Sequence, residues 1–503
     1  MMQLLANRRL RAHAALAAAL LGACTPPPAV APAPVRTPAA VLAAALDSIF
    51  EDTAFAHAQW GVAVRSLDRS DVLYARNAGK LFVPASNMKI VTGSAALEAL
   101  GPAYRFRTRV EAHGRVAGGV LDGDLVVRGG GDPSISARFQ NGDATAVFRA
   151  WADSLRAHGV TRITGRVIGD DDVFDDVALG RGWAWDDADA DYSAEISGLE
   201  LNEGAITVRV SPGAEPDGQV RVQLSPATGY AIIDQSRVRT AARGTATRID
   251  VTREPLELGL RISGQIAADT PFVEEGIAVH NPTLYFVTVL RETLARSGIR
   301  VDGAPVDADD VPPAEPAAYS LPLFTHVSPP LAEILPGFLK PSQNQIGEML
   351  LKTLGRELRG EGSARAGGAV VDSLHRLWGV PPRELSQADG SGLSRYDLVA
   401  PDLLAGILTH MTHSSNWQTW YAALPIAGVD GTLAARMQGT PLQANVHAKT
   451  GTLSGVRSLS GYLTTAAGER IVFSTMVNNH TLSARDADRL AEAALLRIYT
   501  FRR

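Results

Sequence analysis

Pro84-Ala85-Ser86-Asn87-Met88-Lys89 is the stretch that decides the reading of this chain, together with the apolar run behind it. Ile90, Val91, Ala95, Ala96, Leu97, Ala99 and Leu100 recur at roughly helical spacing and stop at Gly101, a helix-ending residue. The spacing predicts a buried helix with Ser86 in its first turn and Lys89 three residues on. Side chains at i and i+3 share a helix face, so the hydroxyl and the amine can meet. The N-terminal end of a helix also favours developing negative charge. The arrangement suits a nucleophile with its base attached. Ser-x-x-Lys alone is nevertheless short enough to recur by chance in a chain of 503 residues.

Two later stretches change its weight: Ser342-Gln343-Asn344 and Lys449-Thr450-Gly451. In this order the three resemble the signature of penicillin-binding proteins and class A β-lactamases. Lysine usage points the same way independently. Lysine and arginine total 48, yet only Lys80, Lys89, Lys340, Lys352 and Lys449 are lysine. Where arginine serves nearly everywhere, the surviving lysines mark places that need an amine. Arginine effectively never loses its proton, whereas a desolvated lysine can act as a base.

Length and composition bound the rest. A chain this long holds two to four domains. Hydrophobic residues at 46% and charged residues at 20% describe a globular protein. The net charge of −5, without a basic run, gives no footprint for nucleic acid. Arg8, Arg9 and Arg11 precede a short apolar run, Ala14 to Leu21, which closes on Leu21-Gly22-Ala23-Cys24. This resembles a bacterial lipoprotein signal over residues 1–23, with Cys24 as the lipidated new N-terminus. An ordinary secretory signal with an incidental cysteine is the alternative, against which the sole cysteine stands where a lipoprotein signal requires it. Cys24 is the sole cysteine, so no intramolecular disulfide can form. Residues 24–38 form a proline- and alanine-rich tether, extended and without a core.

A helix is expected from about Ala39 to Phe50, then strands through Trp60–Leu67 and Val72–Tyr74, then the Ser86 helix. From about Arg105 short strands alternate with glycine-rich turns. Ser86 and Ser342 stand about 256 positions apart. A compact catalytic domain (residues 39–104 plus 317–503) is therefore interrupted by a β-rich insertion, roughly 105–316, of one or two domains.

On its motifs the chain resembles the low-molecular-mass class C penicillin-binding proteins, the D-alanyl-D-alanine carboxypeptidase/endopeptidase family (peptidase family S13). The residues carrying the resemblance include Gly129-Gly130-Gly131-Asp132-Pro133, Gly169-Asp170-Asp171, Gly182-Trp183-Ala184-Trp185-Asp186-Asp187, Asp389-Gly390-Ser391-Gly392-Leu393-Ser394-Arg395 and Lys449-Thr450-Gly451-Thr452. The resemblance implies an α+β protein. Its β-lactamase/transpeptidase-like catalytic domain, an antiparallel sheet flanked by helices, is interrupted by two nested domains, the inner one roughly 198–270. Gln343 departs from the family, which often has aspartate or asparagine there.

Acyl transfer needs a nucleophile, a base, a proton path to the leaving group and an oxyanion site. Ser86 is the expected nucleophile and Lys89 the expected base, with no upstream glutamate motif to compete. The resemblance implies that Ser342 relays the proton and Asn344 binds the substrate backbone. It further implies that Lys449 and Thr450 receive the terminal carboxylate, with an oxyanion hole at the backbone N–H groups of Ser86 and Thr452. Gly451 is expected to leave room for substrate along its strand. Arg395 is a candidate for substrate contact, against a loop salt bridge. His447 is read as structural. The acidic run Asp170–Asp176 is read as a solvated turn, with attraction of a peptide amine as its functional alternative.

The resulting expectation is a lipid-anchored periplasmic serine carboxypeptidase acting on peptidoglycan peptides, with endopeptidase action as an extension. β-Lactams are its expected inhibitors, and it calls for no metal, cofactor or nucleic acid. A β-lactamase and a catalytically silent peptidoglycan-binding lipoprotein stand as alternatives.

Overall fold

The computed structural model describes residues 37–254, 256–311 and 320–503. The expected signal segment, Cys24 and nearly all of the tether lie outside the described residues. A helix at Pro38–Phe50 leads into a five-stranded antiparallel sheet. Its spatial order is His447–Leu453, Val456–Thr464, Arg470–Asn478, Gln59–Ser66, Val72–Arg76. Alternation along the strands feeds two separate cores. Ile471, Phe473 and Val477 join Leu42, Leu46, Leu495 and Ile498 of the first and last helices on one face. Val472 and Met476 join a helical layer on the other.

That layer is built around the helix Met88–Leu100. Ten of its 13 residues are buried, so it is covered nearly all round and not amphipathic, with Lys89, Thr92 and Ser94 as its buried polar groups. It packs among Leu331–Leu339, Asn344–Arg359 and Pro401–Met411. Truncating fully buried Leu97 to alanine would cost about 2–5 kcal/mol. This burial makes the N-terminal end of the helix a rigid platform.

The chain leaves the catalytic domain after Phe106 and returns at Ser328. Ser328 pins the neck: its Oγ accepts the Phe106 N–H at 2.9 Å and its carbonyl accepts Arg105 at 2.6 Å. Between these points a seven-stranded mixed sheet carries the helices Ala146–Ala157 and Pro282–Arg296 on a shared core. Within it, Ala205–Ala278 contains two three-stranded sheets that enclose Val208, Val210, Val251, Leu260, Ile262 and Ile266. The insertion runs later than the expected end at residue 316. Strand Ser320–Val327 pairs antiparallel with Arg107–Ala117 and belongs to the inserted sheet.

Candidate active site

Ser86 sits in the 3₁₀ turn Ala85–Asn87 that immediately precedes the helix, one step before the helical first turn the spacing predicts. The turn is fastened to the sheet at two points. Ser458 Oγ donates to the Pro84 carbonyl at 2.6 Å, and Asn87 Nδ2 donates to Ser460 Oγ at 2.9 Å. Ala85 takes a positive φ of 49° to aim the serine outward. Such a backbone costs on the order of 1–3 kcal/mol and persists only where surrounding contacts enforce it.

Lys89 Nζ lies 2.9 Å from Ser86 Oγ, 2.6 Å from Asn344 Oδ1 and 2.8 Å from the Ser391 carbonyl. A neutral amine has two N–H bonds and one lone pair. Asn344 and Ser391 occupy the two N–H bonds, which leaves the lone pair facing the serine hydroxyl. Burial holds the Lys89 amine down to about 7, only partly opposed by the charges of Asp389, Glu348 and Asp397. A substantial neutral fraction is therefore present at neutral pH.

The second motif comes from the mouth of helix Asn344–Arg359. Gln343 Oε1 caps it by accepting the Gln345 N–H at 2.6 Å, the task an aspartate or asparagine would perform. Ser342 has φ 67°, and its Oγ accepts a hydrogen bond from Lys449 Nζ at 2.8 Å. Asn344 is oriented from its other end: Nδ2 donates to the Tyr192 carbonyl at 2.7 Å, which leaves Oδ1 for Lys89. Tyr192 belongs to the insertion, and no local pattern announced its part.

The third motif lies on His447–Leu453, the outer strand of the five-stranded sheet. Lys449 is fully buried, and burial, then the charge of Lys89, pushes its amine well below the usual lysine range. Thr450 Oγ1 donates to Thr432 Oγ1 at 2.7 Å. Gly451 has a different reason from the expected one. A Cβ there would stand 2.1 Å from Ser458 Oγ and 2.6 Å from the Pro84 carbonyl, so its bareness makes room for the nucleophile turn. His447 stacks on Tyr421 with centroids 4.0 Å apart, in keeping with a structural role. Arg395 donates to the Ser454 carbonyl at 2.7 Å and forms no salt bridge among the described residues.

Behind the lysines lie three buried acids. Burial, then Asp389, pushes Glu348 up to about 8 and raises Asp397 well above the carboxylate range. Asp389 itself accepts four N–H donors.

Ser86, Ser342, Asn344, Arg395 and Thr452 line one cavity of about 580 Å³. Its opposite wall is the insertion: Gly182, Ala184, Asp186, Asp187 and Tyr192. The acids that reach the cleft are therefore Asp186 and Asp187. Of the earlier acidic run, Asp170 pairs with Arg128, Asp171 accepts Ser197 and Thr283, and Asp175 holds Lys352.

Fold and site together define a serine acyl-transfer enzyme of the β-lactamase/transpeptidase architecture, with a lysine on its nucleophile. The chain belongs to the D-Ala-D-Ala carboxypeptidase 3 (S13) family, whose pattern matches residues 42–498, and is a serine hydrolase. It is 37% identical over 472 residues to the D-alanyl-D-alanine carboxypeptidase of Actinomadura sp. strain R39, covering 89% of this chain and 84% of that one. Identity to the D-alanyl-D-alanine carboxypeptidase DacB of Haemophilus influenzae is 27% over 424 residues, covering 84% and 85%. The crystal structure of penicillin binding protein 4 (dacB) from Haemophilus influenzae superimposes with a TM-score of 0.76 at 24% identity, covering 90% of this chain and 99% of that chain.

Proposed function

We propose that this protein is a serine-type D-alanyl-D-alanine carboxypeptidase acting on peptidoglycan stem peptides, and that β-lactams acylate it. One observation carries the reading: the hydroxyl of Ser86, with the amine of Lys89 2.9 Å away, opens into the cavity that Ser342 and Asn344 also line. Lys89 takes the Ser86 proton as Oγ attacks the carbonyl of the penultimate D-alanine. The oxyanion is received by the backbone N–H groups of Ser86 and Thr452. Ser342, hydrogen-bonded to Lys449, passes a proton to the departing amine, and free D-alanine leaves. Water then attacks the acyl-Ser86 ester by the reverse proton path and restores the hydroxyl. Asn344 and the edge strand hold the peptide backbone, while Lys449 and Thr450 answer its terminal carboxylate.

Endopeptidase action uses the same steps, because a D-alanyl cross-link presents the same acyl group with a different leaving amine. The test is D-alanine release from a monomeric pentapeptide beside cleavage of a cross-linked dimer. Release lost in Ser86→Ala supports the reading, and release retained in that variant overturns it. A fluorescent penicillin that stably labels Ser86 supports a peptidase, whereas rapid turnover of the drug supports a β-lactamase.

The same proposal places the protein in the periplasm on a lipid anchor at Cys24. The charged, apolar and small-residue order of residues 1–24 supports this. Cys24→Ser should release the protein from the membrane fraction; retention there would remove the anchor.

A further inference from the structure

Asp389 is fully buried and its carboxylate is saturated with donors. Oδ1 accepts the backbone N–H groups of Ser391 at 3.2 Å and Gly392 at 2.7 Å. Oδ2 accepts the Ser394 N–H at 2.7 Å and the indole N–H of Trp183 at 2.9 Å. Three donors belong to the loop that Asp389 itself begins. The fourth comes from the insertion, 206 residues away.

The loop gathered by this carboxylate touches the nucleophile helix directly. It presents the Ser391 carbonyl to Lys89 and the Gly390 carbonyl to Thr92 Oγ1, each at 2.8 Å. Gly392 lies against the nucleophile turn, where a Cβ would stand 1.9 Å from the Ala85 carbonyl. Trp183 is itself firmly placed. Its ring packs on Phe174, Ile196 and Met349, and Gly180 leaves it space, because a Cβ there would fall 2.1 Å from Nε1. A second stitch runs alongside, from Ser394 Oγ to the Arg181 carbonyl at 2.6 Å.

We propose that Trp183 is a positioning residue for acyl transfer: its indole N–H completes the cage around Asp389 and so sets where the Ser391 carbonyl meets the amine of Lys89. The insertion is then part of the catalytic apparatus as well as a wall of the cleft. Loss of that N–H leaves the carboxylate one donor short, lets the loop shift, and misdirects the lone pair that faces Ser86. It also leaves more of the Asp389 charge uncompensated toward Lys89. The groups facing that amine are Asp389, Glu348 and Asp397 among the acids, Lys449 among the bases, and Asn344 and Ser86 among the neutral side chains.

The inference rests on acyl transfer at Ser86, and labelling of the wild-type chain by a fluorescent penicillin tests that reading separately. Two variants test Trp183: Trp183→Phe, and replacement of Trp183 by 3-benzothienylalanine, which keeps the ring system and lacks the N–H. The second-order acylation rate should fall roughly ten- to a hundredfold in both. The acid limb of the rate should move to higher pH, while the benzothienyl protein melts as the wild type does. A benzothienyl variant that acylates at the wild-type rate with an unmoved acid limb overturns the proposal. So does a rate loss confined to proteins whose melting midpoint has dropped.

Discussion

Lys89 Nζ and Ser86 Oγ stand 2.9 Å apart, and the two remaining partners of the amine, Asn344 Oδ1 and the Ser391 carbonyl, can only accept. The serine therefore donates only when Lys89 has lost its proton. Burial holds that loss at about 7. The sign follows: below this pH the amine is charged, so acylation falls about tenfold per unit, and above it the rate levels off. Kinetics of penicillin labelling across pH 5 to pH 9 should show that single acid limb. Lys89→Arg, charged at every pH, should lose about 10²–10⁴ in rate throughout.

Gly451 should tolerate no side chain. A Cβ 2.1 Å from Ser458 Oγ and 2.6 Å from the Pro84 carbonyl breaks the hydrogen bond that pins the nucleophile turn to the sheet. Gly451→Ala should therefore reduce the acylation rate about 10²-fold while peptide binding changes little. Separate measurement of the binding and acylation steps with a slow β-lactam checks this. A change confined to binding would show that the glycine serves only the substrate.

Asp186 and Asp187 face Ser86 across the cleft, and Tyr192 Oη donates to Asp187 Oδ1 at 2.7 Å. Two carboxylates on the wall of a cavity favour a substrate carrying a free amine in its stem. Asp186→Asn with Asp187→Asn should raise KM for such a peptide roughly tenfold and leave a peptide with an acetylated amine unchanged. Comparing the two peptides, at low and at high salt, reads the effect directly.

The three motifs were legible because each is local: i to i+3 on a helix end, or neighbours on one strand. Lysine scarcity pointed to the site only in part: Lys89 and Lys449 are buried in it, Lys80 is exposed, and the other two serve as ion-paired donors. Lys340 Nζ donates to the Leu424 carbonyl and Asp430, and Lys352 Nζ to Asp175 and Val177. Contacts between catalytic domain and insertion were not legible. Tyr192 with Asn344 and Trp183 with Asp389 span 152 and 206 positions, and nothing periodic marks a backbone carbonyl as a partner. The end of the insertion was not legible because Ser320–Val327 carries Pro322, and a proline inside a run argues against a strand. Ser320–Val327 is an edge strand, and its register shifts between Pro322 and Phe324, which is where a sheet accepts a residue without an N–H.

Lys352 joins the insertion to the second-motif helix and should matter to stability more than to chemistry. Only 2% exposed, its amine donates to the Asp175 carboxylate at 2.6 Å, the Asp175 carbonyl at 3.1 Å and the Val177 carbonyl at 2.9 Å. Methionine fills a similar volume but satisfies none of these, and an unpaired buried acceptor costs about 1–3 kcal/mol. Lys352→Met should lower the denaturation midpoint. At a temperature where the variant is fully folded, its acid limb should coincide with that of the wild type, because the amine is remote from Ser86 in the hydrogen-bond network. Denaturant unfolding beside penicillin labelling checks both halves. An unchanged midpoint would mean that water replaces the amine without loss, and that the insertion is held by its apolar contacts alone.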